Sequence, residues 1–366
     1  MSIAGVNVFG PVNAASGLGT AVRGHLRAIW RAGLRTSVFP LVFSARQASV
    51  PFDYPAGEDF HEVSLFYATA DATDFLLANF ARELKRSRYK VGVWVWELAA
   101  AHPGHFERAK LYDEIWVPST FNQRAFSAIT RSPVEVVPYV VEPPAGGGAF
   151  RERLRIAADA FVFFYMFDAS SYIVRKNPQA LLEAFSREFG GDAGAVLVLK
   201  VSNLDPDSEF GRELAAAEQR IPNLRCVRET LAEAEVASLL EACDCYVSPH
   251  RSEGFGLTVA EAMALGKPAI ATGYGSTCDF VDADVAFPVP FRLVEIAEDM
   301  GPYFAGAVWA DVDAAALARE MRRVHDDPAA ARAKAGKARA RIAARYSLDA
   351  ISRAIASRLS AIRVPR

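Results

Sequence analysis

Short apolar runs that alternate with helical segments are the feature that most limits the folds open to this chain. The first part of the sequence contains the runs IAGVNVFG, TSVFPLVF, VSLFYAT, KVGVWVWE, DEIWVPS and VEVVPYVV. Runs of this length predict strands that are buried on both faces of a parallel sheet. Helical segments such as AVRGHLRAIWRAG and FNQRAFSAI separate them, and Gly33 is placed to end the first helix. The alternation predicts a doubly wound α/β domain.

A second series of the same kind follows the segment PPAGGG, residues 143–148, which we interpret as an inter-domain linker. Its strand-like runs are FVFFYMFD, AVLVLKVS, LRCVRE, CYVSPH, KPAIAT and VAFPVP. A chain of 366 residues is long enough for two cores. We therefore predict a first domain over 1–145, a second over 146–340, and a C-terminal helix over 341–366 that packs on the first domain. Open α/β sheets bind ligands at the carboxyl ends of their strands, so we expect the two sheets to face a central cleft.

Composition excludes several classes of protein. Apolar residues make up 51% of the chain, charged residues 23%, and the net charge is −2, which is ordinary for a globular protein and gives no general attraction to nucleic acid. The N-terminal MSIAGVNVFGPVN does not resemble a signal peptide, and no apolar run has the length of a membrane span. The cysteines show neither zinc-site nor disulfide spacing, which indicates reduced thiols in a cytoplasmic protein.

The segment SEGFGLTVAEAMALGKPAIAT places two glutamates around a glycine-rich turn. Because CYVSPH is a predicted strand, this turn lies at its carboxyl end, and LTVAEAMAL is a predicted helix that Gly266 ends. Gly254 and Gly256 let the backbone approach a ligand closely, and the helix N-terminus suits a diphosphate. A carboxylate can accept two hydrogen bonds from a vicinal diol. Glu253 and Glu261 can therefore bind two diols of one nucleotide-sugar.

These segments resemble the group 1 glycosyltransferases of family four, which have the GT-B fold. SPHRSEGFGLTVAEAMALGKPAIAT fits the family signature of two glutamates separated by seven residues, and FDASSYIVRKNPQALLEAF resembles its Arg-Lys segment. In the first domain, GLGTAVRGHL resembles the glycine loop of the acceptor domain. The likeness is closer over 160–282 than over 1–140. It implies two Rossmann-like domains that face a central cleft.

The resemblance implies a role for each matching residue. Arg175 and Lys176 would bind the donor diphosphate and stabilise the leaving negative charge, Glu253 would contact the donor sugar, and Glu261 would hold the ribose. Preorganised cations on the leaving group are the catalytic device that such a transfer most needs, and they would make a metal ion unnecessary. Further donor-binding candidates are Gly254, Phe255, Gly256, Leu257, Ser170 and His250 in the second domain, with Gly17 and Gly19 in the first.

Several residues leave two interpretations open. His250 could reach the cleft or could be a packed residue at a strand end, and Asn79 could face the acceptor or be a helix-surface amide. Relatives often have a histidine at the end of a first-domain strand, where this chain has KVGVWVWELAAAHP. The acceptor-side polar residue is therefore either Glu97 or His102. The Asp-x-Asp segment at 282–284 formally resembles a metal site, but its predicted position in a loop beyond the glutamates argues against one.

The resemblance implies a retaining transferase that acts on a glycan or lipid-linked acceptor, and the family's use in bacterial surface polysaccharide assembly implies GDP-mannose or a UDP-sugar as the donor. A GT-B epimerase and an inactive GT-B-like binding protein are alternatives. A nicotinamide oxidoreductase would need a glycine fingerprint, and in GLGTAVRG the third glycine comes too late. The tail from 330 onward is rich in Lys and Arg. It is either a solvated helix or a peripheral contact with the anionic inner face of a membrane.

Overall fold

The computed structural model describes residues 3–43, 49–55, 57, 59–147 and 149–364, so Gly148 of the predicted linker lies outside the described residues. The chain divides into two compact units. The first domain comprises Met1–Glu142, Glu295–Val308 and Ala344–Arg366, and the second comprises Pro143–Val294 and Trp309–Ala343.

The first domain is built on a parallel sheet of six strands in the order β2-β1-β3-β4-β5-β6. The strands are β1 Gly5–Gly10, β2 Arg35–Pro40, β3 Val63–Phe66, β4 Tyr89–Val93, β5 Glu114–Val117 and β6 Val134–Val136. Strands β1, β3 and β5 are buried along their whole length, as their continuous apolar runs predict. The helices between them are α1 Gly17–Arg31, α2 Thr73–Asn79, α3 Ala81–Arg86, α4 His105–Ala109 and α5 Thr120–Ser127.

The second domain repeats this plan, with a parallel sheet in the order β12-β11-β10-β7-β8-β9. Its strands are β7 Phe161–Asp168, β8 Ala195–Ser202, β9 Leu224–Val227, β10 Cys245–Ser248, β11 Ala269–Thr272 and β12 Phe287–Val289. Its helices are α6 Phe150–Arg153, α7 Ile173–Lys176, α8 Pro178–Phe189, α9 Glu209–Arg220, α10 Glu233–Ala242, α11 Leu257–Ala264, α12 Ala314–Asp326 and α13 Pro328–Tyr346, the last of which runs past the unit boundary. The prediction of two Rossmann-like domains is confirmed.

Two strands, β13 Phe291–Glu295 and β14 Val308–Val312, form a separate two-stranded sheet that the sequence pattern did not predict. The segment between them, Glu295–Val308, groups with the first domain, although the prediction placed all of 146–340 in the second. Aromatic contacts explain this difference. The ring of Tyr303 lies 5.8 Å from that of Trp96, and Phe304 lies 5.6 Å from the ring of His102.

The C-terminal segment is two helices, because α13 continues to Tyr346 and α14 Leu348–Ala361 begins after Ser347. The Ser347 hydroxyl accepts the Ala350 N–H, as an N-cap does, and this marks the break between them. Ile351, Ile355 and Leu359 of α14 belong to the buried core of the first domain. The expected helix over 341–366 thus starts later, at Leu348, than the sequence pattern suggested.

Each sheet has one point where the chain reverses its direction of strand addition, between β1 and β3 in the first domain and between β10 and β7 in the second. Ligands of open α/β sheets bind at the carboxyl ends of the strands at such points, because the connections on either side diverge there. The glycine loop of GLGTAVRG follows β1, the Arg-Lys segment follows β7, and Glu253 follows β10. A ligand-binding site is therefore expected at these two switch points.

Candidate functional site

Two connections of the second domain meet at its switch point, one from β7 to α8 and one from β10 to α11. The Asn177 side-chain amide donates a buried 3.1 Å hydrogen bond to the Pro249 carbonyl, and the Arg251 N–H donates at 2.8 Å to the Arg175 carbonyl. Asn177 adopts a left-handed backbone (φ 53°), which asparagine tolerates well, and Pro178 then opens α8. The two hydrogen bonds thus hold the two connections together.

Arg175 lies inside this junction and is only 4% exposed. Its guanidinium donates at 2.8 Å to the Ser252 carbonyl and at 3.3 Å to the Ser171 carbonyl, and Nη1 lies 3.2 Å from Glu253 Oε1. Arg175 lies in the last turn of α7, two residues before Asn177 and the start of α8. A buried guanidinium bound to two carbonyls fixes the geometry of both connections.

Lys176 and Glu253 form the charged centre of the site. The ammonium donates a 2.6 Å hydrogen bond to Glu253 Oε1, and both side chains are mostly buried. Burial alone would raise the pKa of Glu253, but the charges of Lys176 and Arg175 outweigh it and lower the pKa to about 2. Glu253 is therefore ionised at every working pH, and two cations against one carboxylate leave a net positive charge for an anionic ligand.

The turn into α11 is built around Gly256, the N-cap residue, whose φ is +86°. A Cβ at this position would lie 2.4 Å from Thr277 Cγ2, so glycine is required both by its backbone and by the space. Phe255 is buried with its ring 5.6 Å from that of Phe280, and Gly254 is buried beside it. Leu257 is the first residue of α11, so its backbone lies at the helix end that attracts anions.

Glu261 lies in α11, one turn beyond its start, and is half-buried. Burial, with a contribution from the carboxylate of Glu233, raises the pKa of Glu261 to about 8. Glu233 is the first residue of α10. Glu261 and Glu253 thus differ in protonation at neutral pH, since one is neutral and the other is charged.

Two other donor-side candidates are engaged within the protein. His250 is fully buried, with Nδ1 2.9 Å from the Ser248 hydroxyl and Nε2 3.4 Å from the Tyr274 carbonyl, which corresponds to the packed alternative. Burial lowers the pKa of His250 to about 4, so this imidazole is neutral. Ser170 is exposed, and its N–H and hydroxyl both donate to Asp168 at the end of β7.

The glycine loop of the first domain is held by a buried arginine. Arg23 of α1 donates to the carbonyls of Val12 and Ala14 at 3.1 and 2.9 Å. Gly19 is required by packing, since a Cβ there would lie 2.1 Å from the Ala14 carbonyl oxygen, whereas a Cβ on Gly17 would meet no atom within 4 Å. Of the two predicted glycines, Gly17 is the one with open space beside it.

The acceptor-side candidates lie near the carboxyl end of β4. The predicted strand KVGVWVWE is too long, because β4 ends at Val93 and the Trp96 N–H donates to the Asn122 side chain instead of a strand. His102 is half-buried, and its Nδ1 accepts the Gly104 N–H at 3.0 Å, which leaves the ring proton on Nε2. Glu97 is half-buried. Burial raises the pKa of Tyr139, and the negative charge of Glu97 raises it further.

Asn79 and the Asp-x-Asp segment have contacts of an ordinary structural kind. Asn79 is exposed at the end of α2 and donates to the Phe75 carbonyl one turn earlier, which fits the helix-surface alternative. Asp282 pairs with Arg341 and accepts the Asp284 N–H. Within the residues that the structure describes, no three His, Cys, Asp or Glu side chains are grouped as metal ligands.

Sequence reasoning missed Asn177 and Ser252 as parts of the site. Asn177 had a detectable signal, since Asn before Pro favours a turn and Asn tolerates a left-handed backbone. The Arg251 guanidinium pairs with Asp311 of β14 at 3.0 Å, a contact that no local sequence pattern predicts because the two residues are 60 positions apart.

The comparisons with known proteins bear on the family and on the fold. The family model of the group 1 glycosyl transferases matches residues 151–342. An uncharacterized glycosyltransferase of Methanocaldococcus jannaschii is 49% identical over 47 residues, which is 13% of this chain and 13% of that relative. Solved structures match over nearly the full length. Anabaena HepE in complex with UDP and glucose has a TM-score of 0.72 at 17% identity, covering 98% of this chain and 99% of that one.

A sucrose-phosphate synthase of Thermosynechococcus elongatus has a TM-score of 0.67 at 16% identity, covering 96% of this chain and 97% of that one. At such identities the likeness concerns the fold, and it confirms the GT-B architecture that the sequence resemblance implied. The family match covers more than half of the chain and includes Arg175, Lys176, Glu253 and Glu261. The chain belongs to the group 1 glycosyl transferases.

Proposed function

We propose that the protein is a retaining glycosyltransferase that moves a sugar from GDP-mannose or a UDP-sugar to a glycan or lipid-linked acceptor. The observation that supports this most is the cluster of Arg175, Lys176 and Glu253 at the carboxyl ends of β7 and β10. The cluster presents net positive charge next to the N-terminus of α11, which suits a diphosphate. The Anabaena neighbour has also been solved with UDP-glucose.

In this proposal Lys176 stabilises the leaving nucleoside diphosphate. The ammonium has three N–H donors, so it can bind a phosphate oxygen while it keeps its hydrogen bond to Glu253. Arg175 holds the backbone of the two connections in place and adds its charge from within. Charge that is already oriented costs no reorganisation as the sugar–phosphate bond breaks. The two cations supply the charge that a metal ion would otherwise bring, so we propose that turnover needs no metal.

Glu253 acts in this proposal as a hydrogen-bond acceptor for hydroxyls of the donor sugar. Its pKa of about 2 means that it carries no proton to give, so it is not a general acid. Retention then follows from attack of the acceptor on the face that the diphosphate leaves, with a donor phosphate oxygen taking the acceptor proton. For the acceptor side we propose either Glu97 or His102, and His102 would donate from Nε2.

The biological setting is also a proposal. Surface polysaccharide assembly on the inner face of a bacterial membrane would bring the protein to a lipid-linked acceptor, with the basic segment of α13 and α14 as the membrane contact. Among the helices in the described parts of the chain, none combines the length and the apolar character that a membrane crossing requires. Any membrane contact in this proposal is therefore peripheral and electrostatic.

The test is a transfer assay with UDP-glucose, GDP-mannose and related donors, each with and without glycan acceptors, in the presence of EDTA. We expect a glycoside product whose anomeric configuration, read by NMR, matches the donor. Isomerised donor in the absence of any acceptor would support the GT-B epimerase instead. Nucleotide binding without any turnover across the panel would support the inactive binding protein.

A further inference from the structure

Lys200 is a buried cation at the carboxyl end of β8 that the proposed mechanism does not use. Its side chain is 3% exposed, and its ammonium donates a 2.7 Å hydrogen bond to the Ser202 hydroxyl. Among the described residues, this is the only hydrogen bond of the Lys200 ammonium, which has three N–H donors. Two of its donors are therefore available to another acceptor. A buried cation is costly unless it is bound, which favours a ligand at this position.

The side chain of Lys200 points to the face of the sheet that α10 covers. Val198 lines a small cavity together with Leu239 and Ala242 of α10. Side chains alternate along a strand, so Lys200, two residues beyond Val198, lies on this same face. The connections through α10 and α11 run in the same direction across the sheet, so right-handed crossovers place α11, with Glu261, on this face too.

The connection from β9 to α10 lies between Lys200 and Glu261. Lys200 is in register with Val227, the last residue of β9, so the residues that follow begin beside it. Burial lowers the pKa of Lys200, and the carboxylates of Glu229 and Asp168 partly offset this, which places Glu229 near the ammonium. At the other end of the connection, Glu233 interacts with Glu261. A ligand held at Glu261 therefore has Lys200 across this connection.

We propose that Lys200 recognises the base of the nucleotide donor by donating a hydrogen bond to the keto oxygen at C4 of uracil or C6 of guanine. This inference rests on the proposed function, in which Glu261 holds the ribose. The base attached to that ribose extends along the β9–α10 connection toward the edge of the sheet. The hydrogen bond between Lys200 and Ser202 is only partly buried, so a ligand at that edge can reach the ammonium.

The chemistry of the bases sets the specificity. Uracil at C4 and guanine at C6 carry keto oxygens, which accept hydrogen bonds, whereas cytosine at C4 and adenine at C6 carry amino groups, which donate them. A lysine ammonium is a donor only. Opposite an amino group, the ammonium could not form this hydrogen bond, and the bound ligand would bury both donors. Unpaired buried donors are costly, so the protein would bind such a base much more weakly. The donor class is therefore a nucleoside diphosphate sugar whose base carries a keto oxygen at C4 of a pyrimidine or C6 of a purine, and cytidine and adenosine donors are disfavoured.

Calorimetry with two matched ligand pairs tests this, UDP against CDP and GDP against ADP. We expect the wild-type protein to prefer at least one keto base over its amino partner by about tenfold or more, the scale of a hydrogen bond to a charged group. K200M should reduce this preference to near unity, chiefly by weakening the keto ligand. K176M is the control, because it should weaken all four ligands and leave the ratios unchanged.

K200Q distinguishes the loss of this hydrogen bond from a structural effect of the substitution in K200M. The glutamine amide offers an acceptor as well as donors, so it should shift the preference toward the amino-bearing base. Wild-type preference retained in either folded variant, or equal binding of both members of each pair to the wild type, would overturn the inference and leave the proposed function standing. Failure of the wild type to bind any of the four nucleotides would contradict the proposed function itself.

Discussion

Lys176 donates a 2.6 Å hydrogen bond to Glu253, although the two residues are 77 positions apart in the sequence. They meet because β7 and β10 are neighbours at the switch point of the second sheet, so the connections that follow them converge. The contact places a cation that can bind a leaving diphosphate next to a carboxylate that can bind sugar hydroxyls.

Removing the charge of Lys176 should slow turnover more than it harms the fold. We expect Lys176→Met to lower kcat by about a hundredfold, the scale of losing one charge partner of the transition state. Methionine keeps the length of the side chain, so the circular dichroism spectrum should not change. Lys85→Met, at an exposed position of α3, is the matched control and should keep wild-type turnover. Wild-type turnover in Lys176→Met would remove Lys176 from the mechanism.

Nucleotide affinity should rise with pH because Glu261 must lose a proton to accept the ribose hydroxyls. Its pKa of about 8 in the free protein means that binding releases a proton below pH 8. Affinity should therefore increase by up to about tenfold per pH unit as the pH approaches 8, and then level off. Calorimetry in buffers of different ionisation enthalpy measures both the affinity and the proton release.

Two variants separate this effect from titration of the nucleotide phosphate. Glu261→Gln should lose the proton release that belongs to the protein and bind more weakly by about 1–3 kcal/mol at high pH. Glu233→Gln removes a carboxylate that raises the pKa of Glu261, so the affinity profile should move to lower pH. An identical pH profile in the wild type and Glu261→Gln would show that Glu261 does not hold the ribose.

Gly256 should be intolerant of even a methyl group. Its φ is +86°, and an added Cβ would lie 2.4 Å from Thr277 Cγ2, so we expect Gly256→Ala to lower the free energy of unfolding by about 1–3 kcal/mol. Gly336→Ala is the control, because a Cβ at this position of α13 meets no atom within 4 Å. It should stabilise the helix by about 0.5–1 kcal/mol. Urea unfolding measures both, and equal midpoints would contradict the prediction.

The attachment of α14 to the first domain should depend on Arg358. Its guanidinium donates at 2.5 and 2.6 Å to the carboxylate of Glu114, which has no exposed surface. Arg358→Met would leave that carboxylate buried without its main counter-charge, so we expect a loss of about 3 kcal/mol or more in the free energy of unfolding. Arg353→Met, at an exposed position of the same helix, should change it by less than about 0.5 kcal/mol.

The fold and the site differed in how far the sequence could predict them. Strands such as β7 and β8 were predictable because buried parallel strands are continuous apolar runs. Strand β13 was not, because its residues are largely exposed and its neighbour β14 lies beyond a long connection. The glutamates of the site could be found from a local motif. The burial of Arg175 could not, since an arginine is normally solvated and the carbonyl of Ser252 that binds it is distant in the sequence.

The basic tail should bind anionic membranes if it brings the protein to a lipid-linked acceptor. Some of its cations bind the protein itself, since Lys334 donates to the Ala283 carbonyl and Arg341 pairs with Asp282. Four other cations of α13 are exposed: Arg332, Lys337, Arg339 and Arg345. Each cation near an anionic surface can contribute about 1 kcal/mol, so these exposed residues could supply reversible binding.

Co-sedimentation with liposomes tests this contact. We expect binding to vesicles that contain anionic lipid and no binding to neutral vesicles. Binding should fade by about 0.5 M salt, where the Debye length is about 4 Å. Replacing the four exposed cations of α13 by glutamate should abolish it without a loss of transfer to a water-soluble acceptor, because none of them belongs to the site. Protein that stays in the supernatant with anionic vesicles at low salt would show that the tail is a structural element, and the acceptor would then be a glycan in solution.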